Sequence, residues 1–228
     1  MYPLIGGRTL VVAELSSPDV LATILYYVGR PSKYTADEIL DAAAALIRDG
    51  GPGALTISAV AQRLSAPSGS IYHRFASRDL LAASLWLRAV ARFQDGALIA
   101  LANDDPRAAV RDTAAYVLMW SRNNLDDAVL LLLYRSSDLV GNDWPPELTR
   151  RNQQLRKQLN RALTGLNDRL GAVSKADRRR VAFAVMDIPY GAVREPLRRG
   201  VAPEAELDAI VDDAVTATIN GIASRRST

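Results

Sequence analysis

From Thr35 onward, the sequence is a succession of apolar patterns that repeat every three to four residues, and alternating strand patterns are almost absent. Clusters of Gly, Pro, Asn and Asp, such as the run from Asp49 to Gly53, separate these segments. Steps of three and four residues place apolar side chains on one face of a helix, whereas strands need steps of two. The chain is therefore predicted to be all-α.

The composition permits a large core and excludes several kinds of site. With 228 residues, of which 49% are apolar, the chain can bury a core without disulfides or metal. It has no cysteine and one histidine, so thiolate zinc sites and His-rich metal sites are excluded and no cofactor is expected. Its net charge of +3 permits binding to a polyanion without requiring it.

No feature of the sequence predicts a membrane or an export signal. The longest apolar run, residues 128–134, is shorter than the roughly 18 residues that span a bilayer. The N-terminus lacks the basic start and the cleavage site of a secretory signal. We expect a cytoplasmic protein with no membrane partner.

Capping and stop signals set the expected helix boundaries. Thr35 with Glu38 forms a capping box before the first helix, Ser77 caps the fourth, and Pro106 opens the fifth. Further helices are predicted over residues 57–64, 68–75, 126–137, 146–171, 175–199 and 203–223. Residues 1–33 fit this pattern poorly and are read as an N-terminal extension. The expected domains are residues 34–82 and 83–228.

The second and third helices carry a helix-turn-helix pattern. They are joined by Ser65, Ala66 and Pro67, and Ala61 is expected at the crossing, where a small side chain lets the helices approach closely. The third helix presents short hydroxyls and planar donors, which suit the acceptors of a DNA major groove and the phosphates along its rims. The pattern alone also fits a solvated amphipathic helix with no role in DNA binding.

The segment from Tyr34 to about Leu85 resembles the DNA-binding domain of the TetR family of transcriptional regulators. Four blocks carry the resemblance in the family's order and without an insertion: ILDAAAALIRDGG, LTISAVAQRL, SGSIYHRF and SRDLL. The resemblance implies an N-terminal three-helix helix-turn-helix DNA-binding domain followed by a helical effector-binding and dimerisation domain. It also implies a repressor that binds a (pseudo)palindromic operator as a dimer and is released by a small-molecule effector.

The resemblance assigns roles to individual positions. Tyr72 falls where an aromatic hydroxyl meets a phosphate, and Arg78 where a basic residue contacts the DNA backbone. Ser65 stands where the family usually has glycine, which implies a cost of about 1 kcal/mol at most if its φ is positive. Ser68 stands where lysine is common, which removes a charge. The residues implied to contact DNA are Thr56, Ser58, Ser68, Gly69, Ser70, Tyr72, His73, Arg74 and Arg78.

The last predicted helix has a long apolar stripe for which a single small subunit has no obvious use, so we expect a homodimer. The predicted interface residues are Leu207, Ile210, Val211, Ala214, Thr218 and Ile222.

Some predicted helices are apolar on most of their surface, and their residues are candidates for the wall of an effector pocket. The same residues could equally belong to an ordinary packed core. Asp187 lies in an apolar segment and needs a partner if buried, which Arg135 or a ligand could supply. Pro189 is expected to bend its helix. The candidate ligand-binding residues are Tyr116, Met119, Trp120, Leu131, Tyr134, Arg135, Phe183, Met186, Asp187 and Tyr190.

Two other functional classes are alternatives. The sequence has no Gly-rich phosphate loop, no GxSxG, no HExxH and no second histidine for a triad, so an all-helical enzyme is disfavoured and we expect no catalysis. A helical adaptor that binds protein rather than DNA fits the same helix pattern.

Overall fold

The computed structural model of the chain describes residues 34–134, Leu139 and residues 144–222. These residues form helices and no strand, which confirms the predicted all-α class. The helices are α1 (Ala36–Gly50), α2 (Ile57–Arg63), α3 (Ser68–Tyr72), α4 (Arg78–Leu101), α5 (Pro106–Asn123), α6 (Leu125–Leu133), α7 (Pro146–Leu170), α8 (Lys175–Ala182), α9 (Ile188–Arg198) and α10 (Leu207–Asn220).

Local capping begins α4 and α5 and ends α7 where the sequence predicted. The Ser77 hydroxyl accepts the backbone N–H of Leu80 at 3.1 Å, and the Asp105 carboxylate accepts that of Arg107 at 2.8 Å. Gly171 ends α7 with a left-handed φ of 65°, which favours glycine. Two predicted helices end earlier than expected, since α3 stops at Tyr72 and α6 at Leu133.

The N-terminal helices enclose a small core. Ile39 and Ile47 of α1, Val60 of α2 and Ile71 of α3 have no exposed surface. Phe75, which follows α3, is also buried. Three short helices thus hold one another in place and leave their polar faces to solvent.

Helix α4 runs without a break through residue 83, the predicted domain boundary. Its first half buries Leu81 and Leu85, and its last residue, Leu101, packs in the core of the C-terminal helices. Residues from Ala36 onward form one compact unit. The two predicted domains therefore share α4, and the division at residue 83 stays a prediction.

The C-terminal helices bury a second core, and α10 is fastened to it by arginines of α5. Val215 and Ile219 of α10 lie in this core. The Arg111 guanidinium donates to both carboxylate oxygens of Asp212, at 2.7 and 2.9 Å. Arg122 reaches the first turn of α10 in the same way.

A π-helical turn, Phe183–Asp187, separates α8 from α9. Pro189 follows it closely, and proline lacks a backbone N–H and crowds the preceding turn. The sequence predicted that Pro189 bends its helix. The structure has the distortion one turn earlier, as a wider π-helical turn that accommodates the proline.

Two earlier expectations fall outside the described residues, namely the N-terminal extension of residues 1–33 and the side chain of Arg135. Within residues 34–134 and 144–222, no helix combines the length and apolar character needed to cross a membrane. In the same ranges, no group of three or more His, Asp or Glu side chains is placed to hold a metal ion.

Candidate nucleic-acid interface and apolar cavity

Helices α2 and α3 contact each other, and Ala61, which the sequence places at their crossing, is 3% exposed. Ser65 in the turn between them has a φ of 51°, and it is the one non-glycine residue with a positive φ in the described part of the chain. Its backbone N–H donates to the carbonyl of Gln62 at 3.0 Å. Serine at this position, where the family usually has glycine, therefore has a strained backbone conformation.

The outer face of α3 carries the donors that the sequence singled out. Tyr72 is 55% exposed, and Ser68, Gly69, His73 and Arg74 are also exposed. Ser70 is half-buried. Hydroxyl, phenol, imidazole and guanidinium groups therefore share one solvent-facing surface of about two turns, an arrangement that fits base edges and phosphates.

The beginning of α2 lies beside this surface. Thr56 caps the helix, since its Oγ1 accepts the Ala59 N–H at 3.0 Å, and its own hydroxyl hydrogen is left to donate elsewhere. Ser58 is exposed. Both residues remain predicted phosphate contacts.

Arg78 is held by the protein itself rather than projecting freely. Its Nε donates to the Leu55 carbonyl at 2.8 Å, and its Nη2 donates to the Pro52 carbonyl at 3.0 Å. The Tyr134 hydroxyl donates to the same Pro52 carbonyl at 3.5 Å, and burial raises the pKa of Tyr134. Arg78 thus joins the segment before α2 to the start of α4, a structural role that the sequence did not indicate.

The other cations near the interface differ in their partners. Arg63 pairs with Asp49 at 3.0 Å, and a hydrogen bond from Arg48 lowers the pKa of Asp49. Arg74 forms no ion pair with any residue of the described ranges. Its guanidinium is therefore available to bind a phosphate or a base.

An apolar cavity of about 290 Å³ lies among the C-terminal helices. It is lined by α4, α5, α6, α7, the π-helical turn and α9. Phe93 and Trp120 meet edge to face with ring centroids 5.1 Å apart, forming part of its wall. The described residues that line it include no lysine or arginine.

Half of the predicted pocket residues line this cavity, and two of them belong to the π-helical turn. Met186 and Asp187 belong to that turn, and Tyr190 follows on α9. Trp120 and Leu131 line the cavity from α5 and α6.

Four other candidates lie elsewhere. The Tyr116 ring packs against Gly96, where a Cβ would come within 2.4 Å of the ring, and it meets the Phe93 ring at a tilt of 44° with centroids 5.6 Å apart. Tyr134 approaches Pro52 instead. Met119 and Phe183 are exposed at 45% each and do not line the cavity.

Asp187, which would need a partner if it were buried, is exposed. Its side chain is 45% exposed, and it pairs with Arg179 at 3.3 Å on the preceding turns. The expected partner, Arg135, lies outside the described residues. Asp187 therefore stands at the rim of the cavity with a partner of its own.

The lining residues that sequence reasoning missed come from every element that lines the cavity, including α4 and α7, where no candidate was predicted. Phe93, Ala97, Leu159 and Leu163 line the cavity, together with Thr113 and Leu132. Each follows an ordinary amphipathic pattern, and no local signal separates a cavity wall from a packed core.

The dimer stripe needs a correction. Val211 and Ile222 are each 3% exposed and pack in the subunit's own core, and Leu207 packs against that core. The stripe therefore does serve the single subunit, because α10 closes over the apolar faces of α5 and α9. Ile210 is 62% exposed, and Ala214 and Thr218 are half-buried. These three still allow a dimer contact.

Comparison with known proteins supports the assignment of the N-terminal region. Residues 39–85 match the model for bacterial regulatory proteins of the tetR family. The match covers the same helices that build the exposed donor face. The N-terminal region therefore resembles the DNA-binding part of tetR-family regulators. No curated protein matches the sequence of the chain.

Solved structures of bacterial regulators, among them the TetR-family regulator PfmR, share this fold at low sequence identity. PfmR from Thermus thermophilus has a TM-score of 0.57 at 22% identity and covers 83% of this chain and 99% of its own. FadR from Bacillus halodurans has a TM-score of 0.60 at 17% identity, with 82% and 99% covered. FadR from Bacillus subtilis, solved with stearoyl-CoA, has a TM-score of 0.57 at 14% identity, with 83% and 98% covered.

Helix α6 contacts both the cavity and α1. Its Ala128, Leu131 and Leu132 line the cavity. At its first turn, Asp126 pairs with Arg48 of α1. The buried Asp127 pairs with Arg92 of α4 at 3.3 Å. A displacement of α6 by a ligand would therefore act directly on α1.

Proposed function

We propose that the chain is a ligand-responsive transcriptional repressor that binds a (pseudo)palindromic DNA operator as a homodimer and is released by a small molecule. The observation that carries the proposal is the exposed donor face of α3, which lies within the region that matches the TetR family. We expect no catalytic activity and a cytoplasmic location.

The composition of the α3 face supports recognition of double-stranded DNA. Arg74 and His73 offer planar donors that reach base edges, and Tyr72 offers a hydroxyl at the edge of the same face. Position 68 is serine rather than lysine, so the α3 face has one positive charge fewer with which to bind phosphates. We therefore expect affinity to depend on salt less steeply than in proteins that make many phosphate contacts.

The apolar cavity supports an effector with an apolar part. The B. subtilis FadR of the same fold was solved with stearoyl-CoA, which includes a long acyl chain. For such a ligand to lower operator affinity, it must bind the arrangement that does not fit DNA more tightly. Helix α6 gives a route for this coupling, because it touches the cavity and pairs with Arg48 of α1.

The exposed apolar residues of the π-helical turn and α10 support a homodimer. Phe183 is 45% exposed and Ile210 is 62% exposed, and neither lines the cavity. Replacing both with arginine should yield monomers in light scattering, while each subunit keeps its helical circular dichroism. A dimer that survives this double change would contradict an interface on this side.

Footprinting with the DNA upstream of the chain's own gene tests the central proposal. Purified protein should protect one site with two related half-sites, and a gel shift of that site should be reversed by an apolar effector. Failure to shift any neighbouring DNA would favour a helical adaptor that binds protein. A ligand screen in which every binder leaves operator affinity unchanged would reject the effector role and leave the DNA-binding role standing.

A further inference from the structure

Helix α5 carries two buried hydroxyl groups on the wall of the apolar cavity. Thr113 is 5% exposed and Ser121 is 3% exposed, and both residues line the cavity. They lie eight residues apart in the chain, so about 12 Å of helix separates them. The same wall therefore offers a hydroxyl at two well-separated positions.

The protein uses these two hydroxyls differently. The Thr113 Oγ1 donates to the Ala109 carbonyl, four residues earlier, at 2.6 Å. Thr218 of α10 makes the same kind of bond to the Ala214 carbonyl at 2.7 Å. Hydroxyls inside helices commonly bond in this way when they do not face solvent. The Ser121 hydroxyl makes neither this bond nor any other to a residue of the described ranges, although it is the more deeply buried of the two on α5.

A second buried donor directly precedes Ser121 in the chain. Trp120 is 5% exposed and lines the same cavity, and the ring of Phe93 holds it edge to face. No described residue accepts a hydrogen bond from its indole N–H. Buried indole N–H groups usually have an acceptor, because a donor that leaves water without a replacement destabilises the fold. This stretch of α5 therefore presents two donors that an acceptor atom of a ligand would satisfy.

The described wall around these donors is mainly apolar. Aliphatic side chains of α4, α7 and α9 make up much of it, among them Leu101, Leu163 and Val193. Asp187 and Tyr190 also line the cavity, but they are 45% and 48% exposed and so keep access to water. A polar atom that enters an apolar wall without a partner loses water and gains nothing in return. The position of the buried donors therefore selects where a ligand can carry its polar atom.

We propose that the effector is a compact, mainly apolar molecule with a carbonyl group, and that Ser121 and Trp120 recognise its oxygen. The Ser121 hydroxyl and the Trp120 indole N–H donate to that oxygen, which has two lone pairs to accept them. The apolar part packs against the aliphatic wall. Thr113 does not serve as a donor, because its hydrogen is already bonded to the Ala109 carbonyl. This inference rests on the proposed function and names the chemical class of its effector.

Two pairs of ligands with matched shapes test the role of the carbonyl. Benzophenone is paired with 1,1-diphenylethylene, and 2-octanone with 2-methyl-1-octene, so that a methylene group replaces the oxygen in each alkene. Calorimetric titration without DNA gives the ratio of alkene Kd to ketone Kd. A cavity without donors would favour the alkene, because the ketone oxygen would lose its water. We expect the wild-type protein to bind the ketone of at least one pair more tightly than its alkene.

Two variants on α5 separate a donor from a mere part of the wall. Ser121→Ala should lower the ketone advantage about tenfold, as the loss of one buried hydrogen bond gives, and leave alkene affinity unchanged, which also shows that the cavity is intact. Thr113→Val removes a hydroxyl that is already bonded and should keep the advantage. A wild-type preference for the alkene in both pairs, equal ratios in the two variants, or no binding of any of the four ligands would overturn the proposal.

The contribution of Trp120 has its own readout. The NMR signal of its indole proton is identified by its loss in Trp120→Phe. Benzophenone should shift this signal further than 1,1-diphenylethylene, because the two ligands have the same rings and shape but only the ketone accepts a hydrogen bond. Equal shifts would contradict the contact between the carbonyl and Trp120.

Operator binding is measured separately by gel shift, with and without the ketone. The DNA-binding proposal fails if the wild-type protein protects no operator, whatever the titrations show. The carbonyl proposal fails on the titrations alone, even if the operator is protected and another molecule releases it. The two failures are therefore distinguishable.

Discussion

Helices α3 and α10 were both predicted from amphipathic patterns, yet the tertiary structure uses them in opposite ways. On α3 the polar face stays in solvent, with Tyr72 55% exposed. Of the α10 stripe expected to face a partner, half packs in or against the subunit's own core, namely Leu207, Val211 and Ile222. The difference teaches that a pattern identifies the apolar face of a helix but not the neighbour that covers it.

Two isoleucines of α10 give the sharpest test of this comparison. Ile219 is 2% exposed and Ile210 is 62% exposed. Ile219→Ala should lower the free energy of unfolding by about 2–5 kcal/mol, because it leaves a cavity in the core. Ile210→Ala should change it by about 0.5 kcal/mol or less at a protein concentration where the chain is monomeric. Urea denaturation measures both, and similar losses would contradict the assignment of the two faces.

Arg78 tests whether a residue near α3 serves DNA, the fold or both. Arg78→Ala should lower the free energy of unfolding by about 1–3 kcal/mol, because two carbonyls lose a charged donor. If Arg78 also contacts a phosphate, the same change should weaken binding to all sequences alike. The slope of affinity against salt should then fall by roughly one unit per ion pair, or two for a dimer.

Matched variants separate the two roles of Arg78. Arg78→Lys keeps the charge but cannot donate from a planar fork, so it should restore the salt slope and not the stability. Arg74→Ala should reduce affinity with little change in stability, because no described residue pairs with Arg74. An Arg78→Ala protein of unchanged stability would contradict the clamp on Pro52 and Leu55.

His73 tests whether the α3 face distinguishes sequences. His73→Ala should cost about 1–3 kcal/mol on the preferred operator for each lost base contact and little on random DNA. Fluorescence anisotropy with both DNAs measures the difference. Because His73 is the only histidine, its imidazole NMR signals identify themselves and should shift when operator is added. Unshifted signals with an unchanged preference would remove His73 from the recognition surface.

Ser65 gives the smallest expected effect. Ser65→Gly should raise the free energy of unfolding by about 1 kcal/mol or less, because glycine takes a φ of 51° without strain. Ser65→Ala keeps the strain and serves as the control, and it should not stabilise the protein. Thermal unfolding followed by circular dichroism measures both. A glycine variant that is less stable than the serine protein would show that the hydroxyl compensates for the strain.

The candidate sites were predictable to different extents from the sequence. The exposed face of α3 follows from a local pattern and a family resemblance, and the structure leaves Ser68, Tyr72, His73 and Arg74 open to solvent as that pattern indicates. The cavity was only half anticipated. The sequence does not show that Tyr116 packs outside the cavity, because this depends on Gly96 of α4, which leaves room for the Tyr116 ring.

The sequence by itself determined the helical class, the order of the helices and their caps, because these depend on residues within one or two turns of one another. Ser77 caps α4 and Gly171 ends α7 wherever the helices finally pack. Only the tertiary structure decided the partners of Arg78, which lie 23 and 26 residues away along the chain, and of Tyr134, which lies 82 residues from Pro52. It also decided which apolar faces meet. Those choices depend on the shapes of surfaces brought together by folding, and no local pattern records them.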